Sequence, residues 1–295
     1  MFEKIIGNNQ IKEMLTSSIE NVTASHSYLF VGIQGIGKKM LATEFAKQIL
    51  CIEKEQSSTC KSCIEFESNN HPDFMCVEPD GSSIKIEQIR FLQKKIQEKP
   101  IISNKKVYII NDADSMTTEA QNCLLKTLEE PPEFATIILV GSNEKAFLAT
   151  IKSRCMILHF QPIEDEKLKQ YMEKNYGMTN ISQNRLAMFQ GSIGKAICLK
   201  DKQAEYADIE NMIENLNKKD LLEILKLAEP LCKAKEEIFE ILEYVNILLL
   251  NQAKENYLYT NCIQIVENTK KRLKQNANYD MCIDNMVFNM WEELN

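Results

Sequence analysis

Long apolar runs are missing from this chain. Its longest apolar patch, around residues 247–250, falls far short of the ~20 residues needed to cross a bilayer, which excludes a spanning helix. The first residues, Met1-Phe2-Glu3-Lys4-Ile5-Ile6-Gly7, have no basic region leading into an apolar run and no small-residue cleavage site. They do not read as a secretory leader, and the expected compartment is the cytoplasm. No internal repeat or low-complexity tract is found. Glycine stops at Gly194, and Pro230 is the only proline beyond it. A stretch so poor in breakers, with apolar residues at a period near 3.6, reads as helices packed on helices. Ile238, Ile241, Leu242, Val245, Leu248 and Leu249 trace one such face. Positive charge is lacking there too. Residues 204–295 hold 17 acidic and 10 basic side chains, whereas the rest of the chain holds 25 of each. The acidic end is a poor candidate for gripping a phosphate backbone, which needs clustered Lys and Arg. Any DNA contact is expected from the N-terminal part or shared with partner chains.

Cysteine is not scarce. Ten occur in 295 residues, but a chain of this size without other secretory signals is not read as a disulfide scaffold. Cys123, Cys155, Cys198, Cys232, Cys262 and Cys282 are scattered through apolar-periodic segments and are expected to be small buried thiols. Only Cys51, Cys60 and Cys63 cluster.

The first ~160 residues alternate short apolar runs with amphipathic segments. Tyr28-Leu29-Phe30-Val31 is a strand candidate, followed by a glycine-rich loop and a helix through Met40, Leu41, Phe45 and Ile49. Phe74–Val77 is a weaker strand, and Ile86, Ile89, Leu92 and Ile96 mark a helix. Val107-Tyr108-Ile109-Ile110, residues 136–140 and Ile157-Leu158 are further strands, and residues 117–129 form a helix stopped by Pro131-Pro132. Such alternation implies a mostly parallel α/β sheet. Boundaries are expected near Pro162, where the β pattern ends, and near residue 203, after the unit holding Gly191-Ser192-Ile193-Gly194. The expected division is thus 1–162, 163–203 and 204–295.

Gly32-Ile33-Gln34-Gly35-Ile36-Gly37-Lys38-Lys39 fits a phosphate-binding P-loop up to its last position. Glycines let backbone N–H groups turn toward phosphate oxygens, and the helix N-terminus adds a favourable dipole. Lys38 is expected to reach the outer phosphates of a nucleotide. The last position normally carries a Ser or Thr hydroxyl for Mg²⁺. Here it is Lys39, which cannot ligate a metal while protonated. A second gap follows the next buried strand, in Asn111-Asp112-Ala113-Asp114. A P-loop NTPase places its metal and water-activating carboxylates at such a strand end. Asn111 is an amide without the charge, and Asp112 is shorter than the usual Glu.

Leu124-Leu125-Lys126-Thr127-Leu128-Glu129-Glu130-Pro131-Pro132, followed by Ser153-Arg154-Cys155, resembles the bacterial clamp-loader family. His71-Pro72-Asp73-Phe74 after the cysteine cluster supports the likeness, which covers roughly residues 1–200. The resemblance implies an AAA+ P-loop module, a small helical lid and an all-α C-terminal collar domain. It implies five subunits in an open ring that loads a sliding clamp onto primed DNA. The partners would be tau/gamma-type ATPases and a delta-type subunit. It implies that Arg154 acts in trans as an arginine finger at the neighbouring subunit's ATP site, where an always-charged guanidinium can fork onto phosphate oxygens. ATP-using relatives carry a sensing arginine after a Gly-Ser-aliphatic turn, but here Gly191-Ser192-Ile193 leads into Gly194. The cis site is thus degraded at Lys39, Asn111 and Gly194 while the trans-acting arginine remains. The chain is expected not to hydrolyse ATP, although its loop could still hold phosphate or nucleotide.

The family also implies a four-cysteine zinc module. Cys51-x8-Cys60-x2-Cys63 supplies three ligands, with Ser57 where another cysteine is expected. Cys-x2-Cys is a common zinc half-site. His71, Glu53 or a water are candidates for the fourth position, and Cys76 is the nearest spare thiol. Two other functions stay open: a working AAA+ ATPase with an unusual metal shell, and a module whose acidic helical domain recruits another replication protein.

Overall fold

A computed structural model describes residue 2 and residues 5–53, 60–179, 181–235 and 237–295, with only the backbone of Gln203. Met1, Glu3, Lys4 and Ser57, on which the reading of the leader and of the cysteine module partly rested, lie outside the described residues. The chain divides into two compact units. One comprises Met1–Leu168 with Gly191–Lys195, and the other Lys169–Gln190 with Ala196–Asn295.

The first unit runs α1 (Asn9–Glu20), β1 (Ser27–Val31), α2 (Lys38–Leu50), α3 (Lys61–Glu67), β2 (Phe74–Val77), α4 (Ile86–Ile96), β3 (Lys106–Ile110), α5 (Thr118–Glu129), β4 (Ala135–Gly141), α6 (Ala149–Lys152) and β5 (Met156–His159). The strands pair in parallel in the order β2-β3-β4-β1-β5. Each apolar run read from the sequence is a strand. The runs are continuous because both faces of the sheet are covered. Tyr28, Phe30, Val107, Ile109, Ile138 and Val140 pack with Leu15 of α1 and Leu41 and Phe45 of α2. Their neighbours Leu29, Val31, Tyr108, Ile110, Ile137 and Leu139 pack on the other side with Ile89 and Leu92 of α4 and Leu124 and Leu128 of α5. The period of two thus sorts one run into two cores. Truncating a central aromatic such as Phe45 to Ala should cost about 3–5 kcal/mol.

Local chemistry sets the element ends. The Thr117 hydroxyl accepts from the Ala120 N–H at 3.2 Å and caps α5. Glu130 leaves helical geometry ahead of Pro131-Pro132 and ends it. The His-Pro-Asp-Phe run works as a buried tie. The Asp73 carboxylate accepts the N–H groups of Ile101, Ile102 and Ser103 at 2.7–2.8 Å, fixing the approach to β3.

In the second unit, α10 (Gln203–Asn215) through α13 (Ile238–Gln252), α14 (Tyr259–Lys274) and α15 (Tyr279–Leu294) follow α8 (Gln183–Phe189), while α7 (Asp165–Tyr176) and α9 (Ile193–Leu199) each divide between the units. The apolar stripe at 238–249 is buried. Without glycine, the α14–α15 turn places Asn276 in the left-handed region (φ 59°), and Asn278 caps α15 by accepting from Met281 N–H at 3.1 Å. Among the described residues no helix is long and apolar enough to cross a membrane. All ten cysteines are free thiols, but only some of the scattered ones are buried. Cys262 and Cys282 are; Cys123, Cys155 and Cys232 are partly exposed and Cys198 is exposed. Apolar periodicity marks which face of a helix is inward on average, and a small residue at its margin can still meet solvent.

Candidate nucleotide loop and exposed arginine

The glycine loop joins the end of β1 to α2, and β1 lies between β4 and β5. Chain order reverses there, and ligands of open α/β sheets bind outside such strand ends. The loop has the backbone of a P-loop, with Gly35 and Gly37 both at positive φ (78° and 93°). Its own lysine lies against it. Lys38 is buried and turned back, so that its Nζ donates to the carbonyls of Gly32 (2.6 Å) and Ile33 (2.8 Å) and contacts Ser142 Oγ at 3.4 Å. Burial lowers the Lys38 pKa, while Asp114 and Asp112 act in the opposite direction. The sequence reading sent this ammonium toward phosphate; in the chain by itself the loop carbonyls hold it.

The turn at 191–195 closes over the same loop. Ser192 Oγ donates to the Gln34 carbonyl at 2.8 Å, and Gly194 N–H donates to the Gly35 carbonyl at 2.9 Å. The two glycines meet back to back. A Cβ on Gly194 would lie 2.7 Å from the Gly35 Cα, and one on Gly35 would lie 2.4 Å from Ser192 Oγ. Position 194, where a sensing arginine was expected and not found, therefore has no room for any side chain. Sequence spacing marked position 194 as one where relatives carry a sensing arginine; the fold shows that a side chain there would meet the Gly35 backbone.

The metal-side residues are also diverted. Lys39, at the hydroxyl position, forms an exposed ion pair with Glu78 just beyond β2, and that hydrogen bond raises its pKa. The ammonium points to this partner instead of lying within the loop. Asn111 Nδ2 donates to Asp112 Oδ2 at 3.0 Å, and Asp112 itself is exposed with a left-handed backbone (φ 47°). The inward carboxylate is Asp114. Its Oδ2 accepts the N–H groups of Ser142 (3.1 Å) and Asn143 (2.9 Å), which ties the end of β3 to the end of β4. Asp114, Ser142 and Ser192 complete the site, and sequence reasoning gave none of them a role. Asp114 and Ser192 stood in quoted runs; Ser142 had no local signal.

Arg154 lies elsewhere, two residues past the end of α6, with Ser153 between. Its side chain is partly exposed. Nη2 pairs with Glu129 Oε1 at 2.5 Å, and Nη1 donates to Thr150 O at 2.8 Å and Ser153 Oγ at 3.3 Å. The Arg154 carbonyl accepts from Ser27 Oγ at 2.6 Å at the start of β1.

The structure brings the three clustered cysteines together. Cys51, at the end of α2, lies 3.9 Å from Cys60 and 3.6 Å from Cys63 (Sγ to Sγ), and all three sulfurs lie within 4.8 Å of one another. A tetrahedral zinc with Zn–S bonds of ~2.3 Å needs S···S edges of ~3.8 Å, and the two edges from Cys51 match that spacing. Burial opposes ionisation of Cys60, yet backbone N–H groups of Glu53, Cys63 and Ile52 bring its pKa down to about 6. Burial and the neighbouring thiols push Cys63 up to about 12. His71 is not a fourth ligand. Its Nδ1 accepts from Asp73 N–H at 3.1 Å, which leaves Nε2–H to donate to Ser62 Oγ at 2.9 Å. Cys76 lies in β2, near Lys39 and apart from the trio.

A parallel sheet with a glycine-rich loop at the switch point, flanked by helices and followed by a helical unit, defines an α/β module of P-loop type. A family model described as DNA polymerase III, delta subunit, matches residues 7–164, and the chain belongs to that family. The DNA polymerase III subunit delta′ of Bacillus subtilis is 42% identical over 162 residues, covering 54% of this chain and 49% of the relative. Subunit delta′ of Pseudomonas aeruginosa is 34% identical over 137 residues (45% and 42%). Subunit tau/gamma of Haemophilus influenzae is 29% identical over 226 residues (73% and 33%). The matches thus span about half or less of these relatives' length.

Proposed function

We propose that the chain is a delta-prime-like subunit of a DNA polymerase III clamp loader, one that serves a neighbour's ATP site with Arg154 and does not hydrolyse ATP itself. The observation that carries this reading is the contrast between the two places just described. The P-loop holds its own lysine, is closed by the 191–195 turn and has Lys39 where a metal-binding hydroxyl belongs. Arg154 instead presents a permanently charged guanidinium at the surface. Partners under this reading are tau/gamma-type ATPases and a delta-type subunit, with the sliding clamp and primed DNA met through the complex. Residues 163–203 would serve as lid and 204–295 as collar, and the compartment would be the cytoplasm.

Two measurements test it. The isolated chain should show no turnover of ATP with Mg²⁺; rapid turnover abolished by Lys38→Ala would establish a working ATPase instead. In a reconstituted loader, Arg154→Ala should leave assembly intact and cut DNA-stimulated ATP hydrolysis at the neighbouring subunit's site by ~10³-fold. An undiminished rate would refute the arginine-finger reading.

Cys51, Cys60 and Cys63 would hold a structural zinc, supported by the sulfur spacing. Zinc would cross-link the end of α2 to α3 and stabilise the thiolates there. Protein purified without chelator should contain close to one zinc per chain, and a ratio near zero excludes the site.

A further inference from the structure

The run ending in Glu129-Glu130-Pro131-Pro132 is specific in the sequence, yet nothing above gives it work beyond ending a helix. We infer that Glu129 is the positioning residue for Arg154. This rests on the reading of Arg154 as a trans-acting group and deepens it.

Glu129 is the last residue of α5, and its Oε1 meets Arg154 Nη2 at 2.5 Å. A carboxylate at a helix C-terminus opposes the helix dipole, and an ion pair this exposed contributes little to stability. Fold stability therefore does not explain the residue. The geometry of the arginine does. The two elements that carry the pair are held in register by buried Gln121 of α5. Its Nε2 donates to Ala146 O at 2.9 Å, and its Oε1 accepts from Leu148 N–H at 2.9 Å at the entry to α6. The Arg154 backbone is fixed on both sides, by its N–H to Ile151 O at 3.0 Å and its carbonyl to Ser27 Oγ at 2.6 Å. Thr150 O and Ser153 Oγ take Nη1. Among the described residues these contacts engage Nη1 and Nη2, and of the five guanidinium N–H donors the Nε side is left for an acceptor outside the chain. A long side chain anchored at both ends is already oriented before a phosphate arrives, and orientation established in advance is what a charge-stabilising group contributes.

The test is a double-mutant cycle in the reconstituted loader, reading kcat and KM for DNA-stimulated ATP hydrolysis. Freeing an arginine side chain forfeits at most about 30-fold in rate, the equivalent of its rotamer freedom. Glu129→Ala should lower kcat by roughly tenfold, within that ceiling, with KM for ATP unchanged. Glu129→Gln, which keeps an acceptor oxygen, should recover part of the loss. In an Arg154→Ala background neither substitution should change the rate further. A normal kcat for Glu129→Ala beside a crippled Arg154→Ala would overturn the inference alone, as would a Glu129→Ala loss that persists without Arg154. A normal rate for Arg154→Ala would instead remove the reading beneath it, and this inference with it. Equal urea midpoints for Glu129→Gln and the parent chain provide the folding control.

Discussion

Two ends of one sheet carry the features that matter, and they are built in opposite ways. At the P-loop, cationic and polar groups are turned inward onto their own backbone: Lys38 onto Gly32 and Ile33, Ser192 onto Gln34, Gly194 onto Gly35. At α6, the polar groups converge on a guanidinium that stays partly exposed. The difference teaches that one glycine-rich turn can satisfy its own carbonyls while a guanidinium elsewhere on the same sheet is held by polar groups and stays partly exposed. The loop has its glycines at positive φ and its carbonyls satisfied from within. The arginine is held through Nη1 by Thr150 and Ser153 and through Nη2 by Glu129.

The comparison can be broken at several points. The largest effect belongs to Arg154→Ala in the loader, followed by the Glu129 variants, both described above. Next comes the cover. Gly194→Arg cannot fit against Gly35 and should pull the 191–195 turn off the loop. A stability loss of about 1–3 kcal/mol is expected from displaced contacts of this kind, read as the urea midpoint. The opened chain should bind a fluorescent ATP analogue better than the parent; equal binding would show that the cover is not what closes the loop. Asp73→Ala would orphan the N–H groups of Ile101, Ile102 and Ser103, and about 1–3 kcal/mol should be lost. Native-state hydrogen exchange at those amides would detect it, and unchanged protection would contradict the tie. A smaller effect is pH-dependent. Burial lowers the His71 pKa below 6.5, so in the window beneath 6.5 the unfolded chain binds more protons. Stability should therefore fall as pH drops from 7 through the folded pKa of His71. His71→Gln should flatten that part of the profile, and an unaltered slope would assign it to other groups. The smallest effect is at the exposed Lys39–Glu78 pair, where Glu78→Gln should change stability by less than about 1 kcal/mol.

Much of the candidate site was legible in the order of residues. The P-loop could be read because its glycines, lysine and flanking strand and helix are contiguous. Lys39, Asn111 and Gly194 could be read as departures because each falls at a fixed place in a motif. The cysteine trio was legible from spacing, but whether His71 joins it was not. His71 looked eligible by residue type and proximity in sequence, and its two ring nitrogens turned out to serve Asp73 and Ser62. Glu129 was quoted as part of a signature and left without a role, because its partner is 25 residues away and on another element.

The sequence by itself determined the alternation of strands and helices, the helical C-terminal third and the departures from the nucleotide-site motifs at Lys39, Asn111 and Gly194. Those follow from local rules: period two against period 3.6, glycine for left-handed backbone, hydroxyl or carboxylate for a metal. Only the tertiary structure decided that Lys38 faces its own loop, that Gly194 lies against Gly35, and that Glu129 holds Arg154. Each of these depends on atoms that approach within a few ångströms from distant parts of the chain, and no local pattern encodes such a distance.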